Sequence, residues 1–127
     1  MKDIKNIEQV LSRIITGNCV EVMSKLPEKS IHLICTSPPY SVGINYDVYD
    51  DTTTINQYLD FSEQWLGQAY RILRDDGRIC VNIPYEINLK ERGGRIFIVS
   101  EIWNVMKKIG YNQMIFLYGN PFNISKK

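Results

Sequence analysis

Ile31-His32-Leu33-Ile34-Cys35-Thr36-Ser37-Pro38-Pro39-Tyr40 is the stretch whose reading decides the fold. Its first six residues are mostly apolar and alternate only weakly, the pattern of a short buried strand. Pro38 and Pro39 close it, because neither has an N–H for a ladder and each pushes its predecessor out of the helical region. The result is a stiff tip at the carboxyl end of a strand, with Ser37 and Tyr40 presented at fixed positions. Open α/β sheets bind their ligands outside the carboxyl ends of strands, so this tip is where a site belongs.

Upstream of that strand, residues 3 to 12 suit a lead-in helix with Ile4, Ile7, Val10 and Leu11 on one side. Arg13 to Thr16 reads as a brief strand, Gly17-Asn18 as a turn, and Cys19 to Leu26 as a short helix stopped by Pro27. Downstream, Ser41 to Thr53 is a polar loop long enough to be functional or mobile. Thr54 with Gln57 forms a capping box for a helix over residues 55–74, on which Ile55, Tyr58, Leu59, Trp65, Leu66, Ala69 and Leu73 share one face. Asp75-Asp76-Gly77 is the expected exit turn, and Arg78 to Pro84 a second buried strand closed by a proline. Tyr85 to Arg95 reads as a polar, basic loop, and residues 96–109 as a helix with Ile96, Val99, Ile102, Trp103 and Met106 inward. Lys107 and Lys108 suit its C-terminal dipole, and Gly110 its C′ position. Tyr111 to Tyr118 is a third apolar strand, followed by a terminal loop. Strands alternating with helices predict an α/β fold around a parallel sheet with right-handed crossovers.

The 127 residues fall in the range of one domain, and no repeat or interdomain linker is visible. Fifteen Lys and Arg against fourteen Asp and Glu leave a formal charge of +1, so any affinity for nucleic acid must come from a local patch. No apolar stretch approaches the roughly 18 residues of a membrane span, and no secretory h-region follows Met1, which predicts a cytoplasmic protein without membrane partners. Cys19, Cys35 and Cys80 are odd in number and widely spaced, unlike a disulfide framework or a zinc set, and are expected to be buried, reduced thiols. His32 stands alone inside a strand, which gives Ser-His or Cys-His nucleophilic catalysis no partner motif.

At Thr36-Ser37-Pro38-Pro39-Tyr40 the chain resembles the DNA amino-methyltransferases, which use S-adenosylmethionine to methylate N4 of cytosine or N6 of adenine. The resemblance extends over nearly the whole chain. It takes in Ile15-Thr16-Gly17-Asn18-Cys19, Leu26-Pro27, Ser30 to Ile34, Leu73 to Pro84, Gly93-Gly94-Arg95, Gly119-Asn120 and Asn123-Ile124-Ser125. It implies that Ser37, Pro38, Pro39 and Tyr40 form the catalytic motif, and that Asn18, Thr36, Asn82 and Pro84 contact the cofactor. Asn18 departs from the acidic residue common at that position. Tyr46, with Asp47 beside it, and Lys90, Arg92 and Arg95 are the candidates for contacts with nucleic acid.

The chemistry explains why such residues are wanted. An exocyclic amine is a poor nucleophile because its lone pair is delocalised into the ring. Acceptors against its hydrogens, here the Ser37 hydroxyl and the Pro38 carbonyl, favour a pyramidal nitrogen that attacks a sulfonium methyl in line. The implied partner is double-stranded DNA with the target base flipped out, and Tyr40 offers a face for stacking. Carbon-5 methylation needs a cysteine beside a proline, and no cysteine here follows one. Ser37 leans towards N4 of cytosine, since Asp is the usual first residue in many adenine enzymes, but both targets stay open.

A Phe-x-Gly-x-Gly cofactor turn has no counterpart in the sequence, and Gly93-Gly94 follows a polar loop rather than a strand. The resemblance therefore implies one partial domain over residues 1–127, with a Rossmann-like, mostly parallel methyltransferase sheet that lacks the equivalents of the family's strands 1 and 2. The 31–36 strand would then carry an open apolar edge. Three outcomes are expected for it: pairing with a second chain or copy, repacking of the 13–16 strand against it, or instability alone. A catalytically silent remnant or nucleic-acid-binding module is the competing reading.

Overall fold

Two parallel strands joined by one long helix organise the computed structural model, which describes residues 3–39, 54–89 and 94–112. Strand β1 (Ile31–Thr36) pairs in parallel with β2 (Leu73–Val81). Helix α2 (Ile55–Ile72) leads into β2. Its Thr54 hydroxyl accepts from Gln57 N while the Gln57 side chain accepts from Thr54 N, the reciprocal cap expected from the sequence. The ladder continues past both ends of the pair: Ser30 N donates to Ile72 O at 2.8 Å, and Asn82 N to Thr36 O at 2.9 Å.

β2 begins earlier than its sequence suggests. Ile31 pairs with Leu73 and Leu33 with Arg78, so two steps along β1 match five along β2 and three extra residues are accommodated there. The expected exit turn at Asp75-Asp76-Gly77 is therefore a wide bulge within β2. Turn-forming residues and a bulge have the same local chemistry, and only the pairing on either side distinguishes them. Gly77 is required by space, since a Cβ there would lie 3.0 Å from both Arg74 O and Leu73 Cδ2.

Before β1, only Ile7–Val10 coil, as a single 3₁₀ turn capped by Asn6, in place of the longer lead-in helix. Residues 13–16 form no strand: Ser12 takes a left-handed φ of 58°, and Ile14 is 99% exposed. The left-handed turn at Ser12 and the full exposure of Ile14 lead this segment away from the sheet, so it is not repacked against β1. Helix α1 (Cys19–Ser24) is capped by Asn18. Arg71 on α2 ties its far end down, with Nη2 donating to Met23 O at 2.7 Å and to Leu26 O at 3.0 Å. Arg71→Met is expected to cost about 1–2 kcal/mol, read as a lowered midpoint in urea, because the Leu26 carbonyl loses a charged donor at a partly buried site.

The segment after β2 holds a small hairpin instead of a loop. β3 (Ile87–Leu89) pairs antiparallel with β4 (Gly94–Ile96), placing Ile87 opposite Ile96. Three-residue strands are too short to show a period, which is why sequence reasoning missed them. Helix α3 accordingly starts two residues later than expected and runs Ile98–Ile109, with Gly110 at its C-cap at φ 130°. Trp103 is only half-buried. The expected 111–118 strand and the terminal loop lie, from residue 113 onward, outside the described residues, as does the 41–53 loop.

The core lies between α2, α3, the hairpin and one face of the sheet. Tyr58, Trp65, Leu66 and Ala69 on α2 pack with Ile87, Ile98 and Ile102, and Ile34, Ile79 and Val81 approach from the sheet. Tyr111 closes the end of the core: its hydroxyl donates to Leu66 O at 3.1 Å, and its ring meets Tyr70 edge-on at 5.0 Å. Burial first, and Tyr70 second, hold the Tyr111 hydroxyl well above its ordinary pKa.

The opposite face of the sheet corrects the sequence reading. Leu33, Cys35, Arg78 and Cys80 are all exposed, so β1 and β2 are covered on one side only among the described residues. Cys19, like the other two cysteines, is an exposed free thiol rather than a buried one. Apolar character in a strand reports compatibility with burial, and the partner layer decides whether burial occurs.

Candidate functional site

The sequence-predicted tip stands at the carboxyl end of β1. Asn82 N binds the Thr36 carbonyl there, so the two strands are clamped one residue before Ser37. The chain then turns on a buried Pro38 and a half-buried Pro39, while Ser37 stays exposed. A buried ring flanked by an exposed hydroxyl is an anchor that orients its neighbour. The Ser37 hydroxyl is directed at the β2 end, where it donates to Asn82 O at 3.5 Å. Ser37, Thr36 and Asn82 are thus brought together, and Pro84 follows two residues further along the same segment.

Asn18 serves differently. Its side-chain oxygen accepts from Val20 N at 2.9 Å and from Glu21 N at 3.5 Å, the work of a helix cap. That leaves its amide NH₂ as the group it can offer a ligand. Arg95, on β4, is exposed and ion-paired with Glu86 at 2.7 Å. Tyr40, Tyr46, Asp47, Lys90 and Arg92 lie outside the described residues. Tyr85 and Phe97, which sequence reasoning passed over, meet edge-on at 5.3 Å and are both about half exposed, at 52% and 53%. An aromatic immediately after the strand-closing Pro84 was the available signal.

Lys29, Arg74, Asp75 and Asp76 line a groove at the other end of the strands. Lys29–Asp75 at 2.9 Å and Arg74–Asp76 at 3.1 Å satisfy its charges, so it is a solvated ionic rim. Hydrogen bonding to Asp75 raises the Lys29 pKa, and hydrogen bonding to Arg74 lowers that of Asp76. No cluster of three or more His, Cys, Asp or Glu is placed to hold a metal among the described residues. None of the described helices is long and apolar enough to cross a membrane.

A family model described as DNA methylase matches residues 31–127, from the first residue of β1 onward. The chain belongs to the DNA methylase family. Among its relatives is the type II methyltransferase M.MjaVI of Methanocaldococcus jannaschii, 41% identical over 102 residues that make up 80% of this chain and 51% of that protein. M.HpaI of Haemophilus parainfluenzae is 42% identical over 69 residues, 54% of this chain and 22% of that protein. The DNA adenine methyltransferase YhdJ of Escherichia coli is 26% identical over 98 residues, 72% of this chain and 32% of that protein. This member of the family therefore spans about half the length of M.MjaVI and less of the other two. The fold is that of TTHA0409 from Thermus thermophilus, with a TM-score of 0.62 at 23% identity over 78% of this chain and 40% of that one. The complex of TTHA0409 with S-adenosyl-L-methionine matches over the same shares with a TM-score of 0.59.

Proposed function

We propose that this chain carries the amine-activating part of a DNA methyltransferase that moves a methyl group from S-adenosylmethionine to N4 of cytosine, with N6 of adenine as the alternative target. The observation that supports this most is the tip itself: an exposed Ser37 on a buried Pro38, at the carboxyl end of β1 and clamped to Asn82, in a chain of the DNA methylase family. The Ser37 hydroxyl and the Pro38 carbonyl accept from the two amine hydrogens and hold the nitrogen pyramidal. Tyr40 stacks on the flipped base. Lys90, Arg92 and Arg95 meet phosphates of the duplex, Arg95 by exchanging Glu86 for a backbone oxygen. Tyr46 approaches the DNA from the 41–53 loop.

The donor set fits the cofactor in kind. Thr36, Ser37, Asn82 and the carbonyl of Pro38 are neutral oxygen-bearing groups, compatible in kind with a sulfonium cation. Thr36, Asn82 and Pro84 would line its site, and the Asn18 amide would reach its adenine. When bound, S-adenosylmethionine supplies an electrophilic methyl. Because the amine's proton becomes acidic only after transfer, no histidine base is needed, which accords with the lone and exposed His32.

One observation favours a second reading, a nucleobase-binding module without transfer activity. Among the described residues β1 has β2 as its sole neighbour, so its other edge is open on the side where further strands would extend the site. Incubation of the chain with methyl-labelled S-adenosylmethionine and unmethylated DNA, followed by digestion to nucleosides, separates the two. Label in N4-methylcytosine is the expected result. Label in N6-methyladenine reassigns the base, and DNA binding without any label leaves the second reading.

A further inference from the structure

We propose that Cys35 and Cys80 are a redox-active dithiol, which closes into a disulfide across β1 and β2 when the protein meets a low-molecular-weight disulfide. The two residues are direct partners in the parallel ladder. Neighbouring strands are roughly 4.7–4.9 Å apart, inside the roughly 4.4–6.8 Å window between the α-carbons of a disulfide. Both side chains lie on the face of the sheet that no described element covers, and both thiols are free and exposed. Loss of hydration first, and the neighbouring Cys80 thiol second, raise the Cys35 pKa. Cys19 is on neither strand: it is the first residue of α1.

The reaction balances with oxidised glutathione as the oxidant. One cysteine, as its thiolate, attacks a glutathione sulfur, forming a mixed disulfide and releasing one glutathione thiolate. The second cysteine attacks the protein sulfur of that adduct, closing the Cys35–Cys80 bond and releasing the second glutathione. Two protein protons end on the two glutathione thiols, and the cysteines are oxidised as glutathione is reduced. The site lies beside the tip: Cys35 is two residues before Ser37, and Cys80 two before Asn82. The bridge would pin the two strand ends whose spacing sets the Ser37–Asn82 contact, and a thiol reductant would release them.

The test uses the full chain, reduced, freed of reductant and exposed to oxidised glutathione, with peptide mass mapping under non-reducing conditions. The expected product is two hydrogens lighter and joins the peptides bearing Cys35 and Cys80. Cys19→Ser should leave this unchanged, whereas Cys35→Ser or Cys80→Ser should stop at a glutathione adduct on the remaining partner. Bridging should be at least ~10-fold faster in the folded chain than in urea, because the sheet and not chance encounter brings the thiols together. Three results would each overturn the proposal: adducts on both cysteines without a bridge in Cys19→Ser, no reaction at either thiol, or equal bridging rates folded and unfolded.

Discussion

Ser37→Ala is expected to lower methyl transfer by about 10²-fold, the scale of losing one oriented hydrogen-bonding group at a reacting centre. The proposed role of Ser37 is to accept from one amine hydrogen, and alanine offers the nitrogen nothing. Stability should hardly move, within about 0.5 kcal/mol, since the residue is exposed. The pair of measurements is the point: a rate loss with an unchanged melting curve locates the defect in the chemistry. Ser37→Asp keeps an acceptor in place and is expected to retain more activity than alanine. Equal rates for wild type and Ser37→Ala would remove the hydroxyl from the mechanism and leave the Pro38 carbonyl as the sole acceptor.

Leu66→Ala is expected to destabilise the fold by about 2–5 kcal/mol, the range for emptying a leucine site in a packed core. Leu66 is 0% exposed and lies among Tyr58, Trp65, Ala69, Ile98 and Ile102. Its backbone oxygen also accepts the Tyr111 hydroxyl, so a collapse around the cavity would disturb that contact too. Domains retain only about 5–15 kcal/mol in total, so one such cavity takes a large share. Urea titration followed by tryptophan fluorescence reads it, because Trp65 lies in the same cluster. Leu66→Met, which keeps the volume, should cost less than about 1.5 kcal/mol. A Leu66→Ala loss similar to that of Leu66→Met would mean that the core closes around the cavity and that this cluster is not tightly packed.

How much could be read beforehand differs between the tip and its surroundings. The bounds of β1 and the start of α2 were legible because local chemistry sets them: two prolines end the strand, and Thr54 with Gln57 caps the helix. The exposed position of Ser37 at the end of β1 was legible for the same reason. The contact between Ser37 and Asn82 was not, since residues 45 positions apart meet only through strand pairing. The role of Asn18 was also hidden. A polar residue before a helix can cap it, face a ligand or do both, and the observed bonds to Val20 N and Glu21 N assign the Asn18 side-chain oxygen to the cap.

The amino-acid sequence by itself determined the elements whose ends carry their own stop and start signals, and with them the Ser37-Pro38 tip and its family. Tertiary structure alone decided which strand residues reach solvent, that Asp75-Asp76-Gly77 bulges inside β2, that Ile87 faces Ile96 in a hairpin, and that Cys35 lies against Cys80. The physical reason is common to all four. Caps and prolines act within a few residues, through steric limits and local hydrogen bonds, whereas exposure, register and juxtaposition depend on which distant segment supplies the neighbouring strand or layer.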